Sequence, residues 1–258
     1  MRDLTSYALH LGKARGRYRI HSPFVHELLE NTLRDDSPRP AYRVIEERKN
    51  GLQKNRDRIS VKDMGAGSKW SKKEKRRIRD IATCSGVDKR YGRLLYRLAE
   101  RFAPSHAVEL GSSLGIGTLY LAGGCKGSVH SIEGCPNSAA IARESIEQSG
   151  FGNATILQGD LQEELPPLLE QLPWIDLMRI DGDHRGSALL HYFERGMEKA
   201  HNDTLFILDD IHWSPDMEKA WETLKKDPRV TLTLDLYRMG LLFLRKEQKD
   251  PIHLRIGL

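Results

Sequence analysis

Six acidic residues stand where apolar, strand-like runs of this chain give way to turns. Glu109 sits in AVELGSSLGIGT, Glu133 closes VHSIEG and Asp160 closes TILQGD, while Asp181 ends IDLMRI and Asp209 and Asp210 end DTLFIL. If those runs are parallel strands of one open sheet, their carboxyl ends converge on a single crevice, the place where such sheets bind ligands. Carboxylates gathered there can accept hydrogen bonds from ligand hydroxyls and amines, or hold a hard cation that prefers oxygen. The glycines of the first string, Gly111, Gly115 and Gly117, allow a sharp strand-to-helix turn and a close backbone approach. Their spacing is G-x-x-x-G-x-G, and Tyr120 fills the position where a dinucleotide fingerprint requires a small residue. A phosphate-cradling GxxxxGK[ST] is absent as well. Glu133 follows Gly111 by 22 residues, a spacing that suits an acid accepting two ribose hydroxyls, and Asp160 is placed to meet an exocyclic amine of adenine. The register points to an adenosine-bearing ligand without a pyrophosphate.

Asp181, Asp209 and Asp210 form a second constellation, three carboxylates without thiols or paired imidazoles, as a hard divalent cation such as Mg2+ prefers. Adjacent acids repel unless something cationic lies between them. The competing reading is that Asp183 and Asp210 cap turns, since aspartate is a common turn former. His184, three residues beyond Asp181, carries an imidazole, a group that can take a proton from a metal-bound hydroxyl, or it is simply a surface histidine at the start of a helix. His212 reads as a pocket wall together with Trp213. Cys84, Cys125 and Cys135 are odd in number, lack a CxxC pair, and suggest reduced thiols rather than a disulfide framework or a zinc site.

These residues need a scaffold, and from Pro104 onward strands alternate with helices of the length that crossover units require. The pattern predicts strands near 106–110, 128–133, 154–158, 175–180 and 204–209, then two more near 230–235 and 239–245 whose short link makes them antiparallel. Before this region the chain reads as helices. Ser22-Pro23 opens one, Ser71 to Glu74 has the form of a capping box ahead of Ile78 and Ile81, and Asp88 caps another carrying Tyr91, Leu94, Leu95, Leu98 and Phe102. A short strand is expected from Ile59 to Asp63, running into a glycine turn at residues 64–68 that is read as a hinge or lid. The expected organisation is a basic, mainly helical extension over residues 1–87, covering part of the crevice, and an α/β domain over 88–258.

VELGSSLGIGT, SIEG, LQGD and the closing antiparallel hairpin resemble the class I S-adenosylmethionine-dependent methyltransferases, over residues from about 88 to 246. Within that superfamily the chain is most similar to metal-dependent small-molecule O-methyltransferases of the catechol, caffeoyl-CoA and antibiotic-tailoring types. The resemblance implies a Rossmann-like, doubly wound, mostly parallel sheet of seven strands with an antiparallel last strand. It implies S-adenosylmethionine held by Glu109, Gly111, Ser112, Gly115, Gly117, Glu133, Asp160 and Asp181, with Mg2+ or another divalent cation on Asp181, Asp209 and Asp210. It makes His184 the base, where catechol-type enzymes have a lysine and some antibiotic-tailoring members a histidine.

Charge is distributed unevenly. Residues 1 to 100 carry 25 lysines and arginines against 13 acids, net +12, and the remainder carries 16 against 23, net −7. Opposite signs favour docking of one segment on the other, whereas a free basic face would favour RNA. The RNA reading lacks an Asn/Asp-Pro-Pro-Tyr string and a cysteine at a strand end. A non-catalytic cofactor-fold binding protein is a further alternative, disfavoured by an intact acid at every expected strand end. No run approaches the ~20 apolar residues of a membrane span, so the expected protein is cytoplasmic, with a small-molecule hydroxyl acceptor as partner and homo-oligomerisation left open.

Overall fold

The structure, a computed structural model, describes residues 10, 12, 22–62, 74–84 and 86–257. Helix α1 (Pro23–Leu28) starts as its sequence dictates, with the Ser22 hydroxyl accepting from the Val25 N–H and proline in the first turn. It widens into a π-type turn over Leu29–Leu33. Buried Arg97 then donates to the Thr32 and Leu33 carbonyls at 2.6 and 3.0 Å, satisfying acceptors that a helix end leaves open. Helix α2 (Pro40–Lys54) follows, and strands β1 (Arg58–Ser60) and β2 (Lys75–Arg77) pair antiparallel. Helix α3 therefore begins at Ile78 and ends at Cys84. The capping box expected from Ser71 does not open it, because pairing with β1 holds Lys75–Arg77 extended; Ser71, Lys72 and Lys73, like the glycine turn at 64–68, lie outside the described residues.

Helix α4 (Lys89–Phe102) is capped by Asp88, which accepts from the Tyr91 N–H at 3.0 Å. The alternating region is then β3 (His106–Leu110), α5 (Ile116–Gly124), β4 (Ser128–Glu133), α6 (Pro136–Ser149), β5 (Ala154–Gln158), α7 (Leu161–Gln171), β6 (Ile175–Ile180), α8 (Gly186–Met197), β7 (Ala200–Asp209) and α9 (Pro215–Leu224), closed by β8 (Leu232–Asp235), β9 (Met239–Phe243) and β10 (Ile252–Arg255). In the sheet the order is β10-β8-β9-β7-β6-β3-β4-β5. β5, β4, β3, β6 and β7 run parallel, and β9 is antiparallel to both β7 and β8. The Rossmann-like sheet expected from sequence is present with one strand more than the expected seven. Ile252–Arg255 adds itself in parallel to β8 as a four-residue edge strand, too short and too weakly alternating to register as a strand in the sequence.

Strands buried on both faces sort their side chains by parity. Val108, Leu110, Met178, Ile180, Phe206 and Leu208 pack toward Leu165, Leu189, Phe193 and Trp221 of α7, α8 and α9. Ala107, Leu177, Leu205, Ile207, Leu241 and Phe243 share the opposite core with α4 and α5. Val25, Leu28, Ile45 and Leu52 of the N-terminal helices belong to that second core. The described helices of the basic segment are therefore held as part of a sheet-covering layer by apolar burial, at about 25 cal/mol per Å², rather than by charge alone. Many of their cations are spent internally: Arg39 meets Asp35 and Glu100, Arg93 and Lys89 meet Glu46, and Arg48 meets Glu144. The β1 end reaches the rim of the crevice, where the Ser60 carbonyl accepts from Asn137 at 2.8 Å beside the exit of β4.

Candidate active site

The parity that places Ile207 and Leu177 under α5 also places Glu109, Arg179, Asp181 and Asp209 on that face. Glu109 is directly paired with Arg179 across β3 and β6. The Arg179 guanidinium, 1 % exposed, donates to Glu109 Oε1 at 2.5 Å, to Asp209 Oδ2 at 2.9 Å and to Asp181. Burial alone would lower the pKa of this guanidinium, but Asp181, Glu109 and Asp209 together raise it, so it is a permanent cation. Burial drives the Asp181 carboxyl well above the ordinary carboxylate range; Arg179 opposes that rise, while Asp209, Asp210 and Glu109 add to it. Three carboxylates around one guanidinium leave the crevice floor acidic, with room for further positive charge.

Arg179 is the residue that sequence reading missed. A signal was present, since a basic residue in the middle of the apolar run Ile175–Ile180 must be paired if it is buried. Its presence corrects two expectations. Glu109 is fully buried with both oxygens engaged, accepting from Thr118 at 2.5 Å and Ser131 at 2.6 Å as well as from Arg179, so it braces the glycine loop and does not face a ligand. The cation that the acids at β6 and β7 need is supplied by the protein. Asp181 and Asp209 already share the guanidinium, and Asp210 sits at φ 53°, its N–H given to the Arg238 carbonyl and to Asp209. Asp181, Asp209 and Asp210 do not gather as a group of three that could share an ion. The donor set does not fit a resident magnesium.

The glycine loop is shaped as much by protein packing as by any ligand. Gly111 and Gly115 have φ of 91° and 85°, in the left-handed region, and a Cβ on Gly117 would lie 2.6 Å from Arg179 Nη1. Gly117 is small so that the Arg179–Glu109 pair can exist beneath the first turn of α5. Ser112, between these glycines, is buried, and its hydroxyl has no hydrogen-bond partner among the described residues. An orphaned buried hydroxyl of this kind is expensive unless a ligand satisfies it.

Glu133 leans back over the loop, with one oxygen accepting from the Ser113 N–H at 2.7 Å and the other from the Cys135 N–H at 2.9 Å. Glu133 thereby ties the glycine loop to the end of β4. Asp160 accepts from the Gln162 N–H at 2.8 Å and caps α7; it stands at the crevice but also carries this structural duty.

On the far side of the crevice, at the exits of β6 and β7, the His184 ring lies 5.6 Å from the ring of Trp213, centroid to centroid. Asp183 precedes it at φ 54°, its carboxylate in an ion pair with Arg185. His212 does not stand with Trp213 as a wall. It turns toward β8, with Nδ1 3.0 Å from Glu218 and Nε2 3.0 Å from Asp235, and its ring stacks on Tyr237. Burial lowers its pKa, but the two carboxylates outweigh that and raise it.

Residues 108–211 match the family model described as a methyltransferase domain. No curated protein sequence matches the chain. Among solved structures, the chain is similar to an SAH-bound methyltransferase from Podospora anserina, with a TM-score of 0.62, 15 % identity, and coverage of 88 % of this chain and 97 % of the other. An O-methyltransferase from Bacillus cereus in complex with SAH gives 0.57 at 18 % identity, covering 86 % and 97 %. An O-methyltransferase from Streptomyces achromogenes involved in tomaymycin synthesis, in complex with SAM, gives 0.58 at 14 % identity, covering 90 % and 99 %. At these identities the likeness establishes the fold. Among the described residues no helix is long and apolar enough to cross a membrane.

Proposed function

We propose that this chain, whose residues 108–211 match a methyltransferase-domain model, transfers the methyl group of S-adenosylmethionine to an oxygen of a small-molecule acceptor, with His184 as the base. The observation that carries this reading is the acidic floor around Arg179, facing a glycine loop whose buried Ser112 hydroxyl lacks a partner. A ligand with an ammonium and a sulfonium suits that floor, its ribose hydroxyls suit the carboxylate of Glu133 at the end of β4, and Asp160 stands where an adenine amine would be met. When bound, S-adenosylmethionine supplies an electrophilic methyl carbon whose leaving group is a neutral thioether.

The chain's own contribution is alignment and proton removal. His184 takes the acceptor's hydroxyl proton on a ring nitrogen as the oxygen forms its bond to the methyl carbon and the carbon–sulfur pair departs to sulfur. Trp213, against the His184 ring, limits the ring's rotation and offers an apolar wall for a flat acceptor. In-line geometry of this kind is the larger part of what such a site needs. An RNA acceptor draws less support, because many cations of the N-terminal helices are already paired within the chain.

Calorimetry with S-adenosylhomocysteine tests the reading directly; failure of the unaltered protein to bind would end it. Glu133→Ala is expected to weaken that binding by about 1.5 to 3 kcal/mol, the loss of hydrogen bonds to a charged acceptor together with slackening of the Ser113 loop. Unchanged affinity would remove Glu133 from the ribose site.

Mg2+ is expected to leave turnover flat across a titration, because Arg179 already holds Asp181 and Asp209 by hydrogen bonds to their oxygens. A rate that climbs with Mg2+ and loses that dependence in Asp209→Asn would restore the magnesium reading.

A further inference from the structure

Asp235, at the carboxyl end of β8, is 4 % exposed, and two imidazoles face it. His212 Nε2 lies 3.0 Å from Asp235 Oδ2, and His10 Nδ1 lies 3.5 Å from Oδ1. Each ring has its other nitrogen engaged by an acceptor from a different element: His212 Nδ1 is 3.0 Å from the Glu218 carboxylate, and His10 Nε2 is 3.2 Å from the Ile256 carbonyl. A ring nitrogen that donates to a carboxylate or carbonyl fixes the tautomer, leaving the opposite nitrogen with its lone pair. For His10 that nitrogen is Nδ1; His212, with a carboxylate at each nitrogen, is an imidazolium when no ion is bound, and a metal at the shared centre takes the place of its Nε2 proton.

We propose that His10, His212 and Asp235 bind one transition-metal ion of the zinc class, separate from the site around Arg179. Among the described residues this is the group of three whose ligand atoms gather closely, all within 4.8 Å of one another. Metal–ligand bonds of about 2.0 to 2.2 Å give a tetrahedral edge of about 3.3 Å, so small side-chain rotations close the site. Two nitrogens and one oxygen select zinc, cobalt, nickel or copper over magnesium or calcium. Three protein ligands leave a fourth position for water. The Glu218 and Ile256 acceptors are the outer partners that orient ligating histidines in such sites. Tyr237 donates its N–H to Asp235 Oδ1 at 2.9 Å, and Arg255 Nε lies 3.4 Å from Oδ2. Arg255 competes with the ion for Asp235 and limits its affinity. Bound metal would tie His10 to the ends of β7 and β8.

The test uses the full chain, stripped with chelator, freed of it by dialysis and titrated with Co2+ and then Zn2+. One equivalent of Co2+ with the intense visible bands of a four-coordinate ion, displaced by Zn2+, is expected. His10→Gln and His212→Gln should each weaken uptake by about 10²-fold or more, and Glu218→Gln, on an exposed side chain whose change leaves the fold intact, by about 10- to 100-fold. No uptake by the unaltered protein overturns the proposal. So does affinity unchanged in all three variants, or uptake that Cys84→Ser removes, since Cys84 is an exposed free thiol. None of these readouts involves methyl transfer or S-adenosylhomocysteine, so they stand or fall separately from the function proposed above.

Discussion

His184→Ala is expected to lower turnover by about 10²- to 10⁴-fold while leaving S-adenosylhomocysteine affinity within about twofold, the usual contribution of a positioned general base. The argument rests on place. His184 follows Asp181 out of β6, and its ring is backed by Trp213 from the exit of β7, at the end of the crevice where the proposed function puts the acceptor. His212, the other histidine near these strand ends, has a carboxylate at each nitrogen and its pKa raised, so it holds protons and makes a poor base. If the base is His184, the alanine variant loses the acid limb of the kcat profile. Turnover unaffected by the change, with chemistry shown to be rate-limiting, would remove His184 from the mechanism.

The strand ends were the legible part of this molecule. β3, β4, β5 and β6 fall on the residues that apolar content and flanking turn signals predict. Ser22 and Asp88 cap helices as their types and positions require. What sequence did not reveal depends on register. Glu109 and Arg179 are 70 residues apart, and nothing in either segment says that β3 pairs with β6 so that the two meet. Without that pairing, the acids at β6 and β7 invite a metal; with it, they already have their cation. The same holds for His212 and Asp235, brought together only by the antiparallel placement of β8 and β9. The helices of the basic segment were legible as helices, but their packing into the sheet-covering core was not, since amphipathic periodicity gives the face and not the partner.

Arg179→Met tests the register argument through stability. The side chain is of similar length, so the main loss is charge, leaving Glu109, Asp181 and Asp209 facing one another in a buried space. Removing one partner of a buried ion pair typically costs about 3 to 5 kcal/mol, which in a chain of this size lowers the melting temperature by roughly 6 to 20 °C. The pH dependence has a definite sign. A carboxyl whose pKa is raised on folding, as Asp181's is by burial, favours the fold fully below the ordinary value of 3.8, and that contribution is lost as pH climbs through the raised value. Without Arg179 the rise is larger, so the variant should gain melting temperature as pH falls from neutrality into the mildly acidic range. Adding Glu109→Gln to Arg179→Met removes one of the three charges and should recover part of the loss, a coupling that a double-mutant cycle reads directly. A single variant that melts like the parent, or a pair of changes that simply add, would mean that the guanidinium is not what holds these acids together.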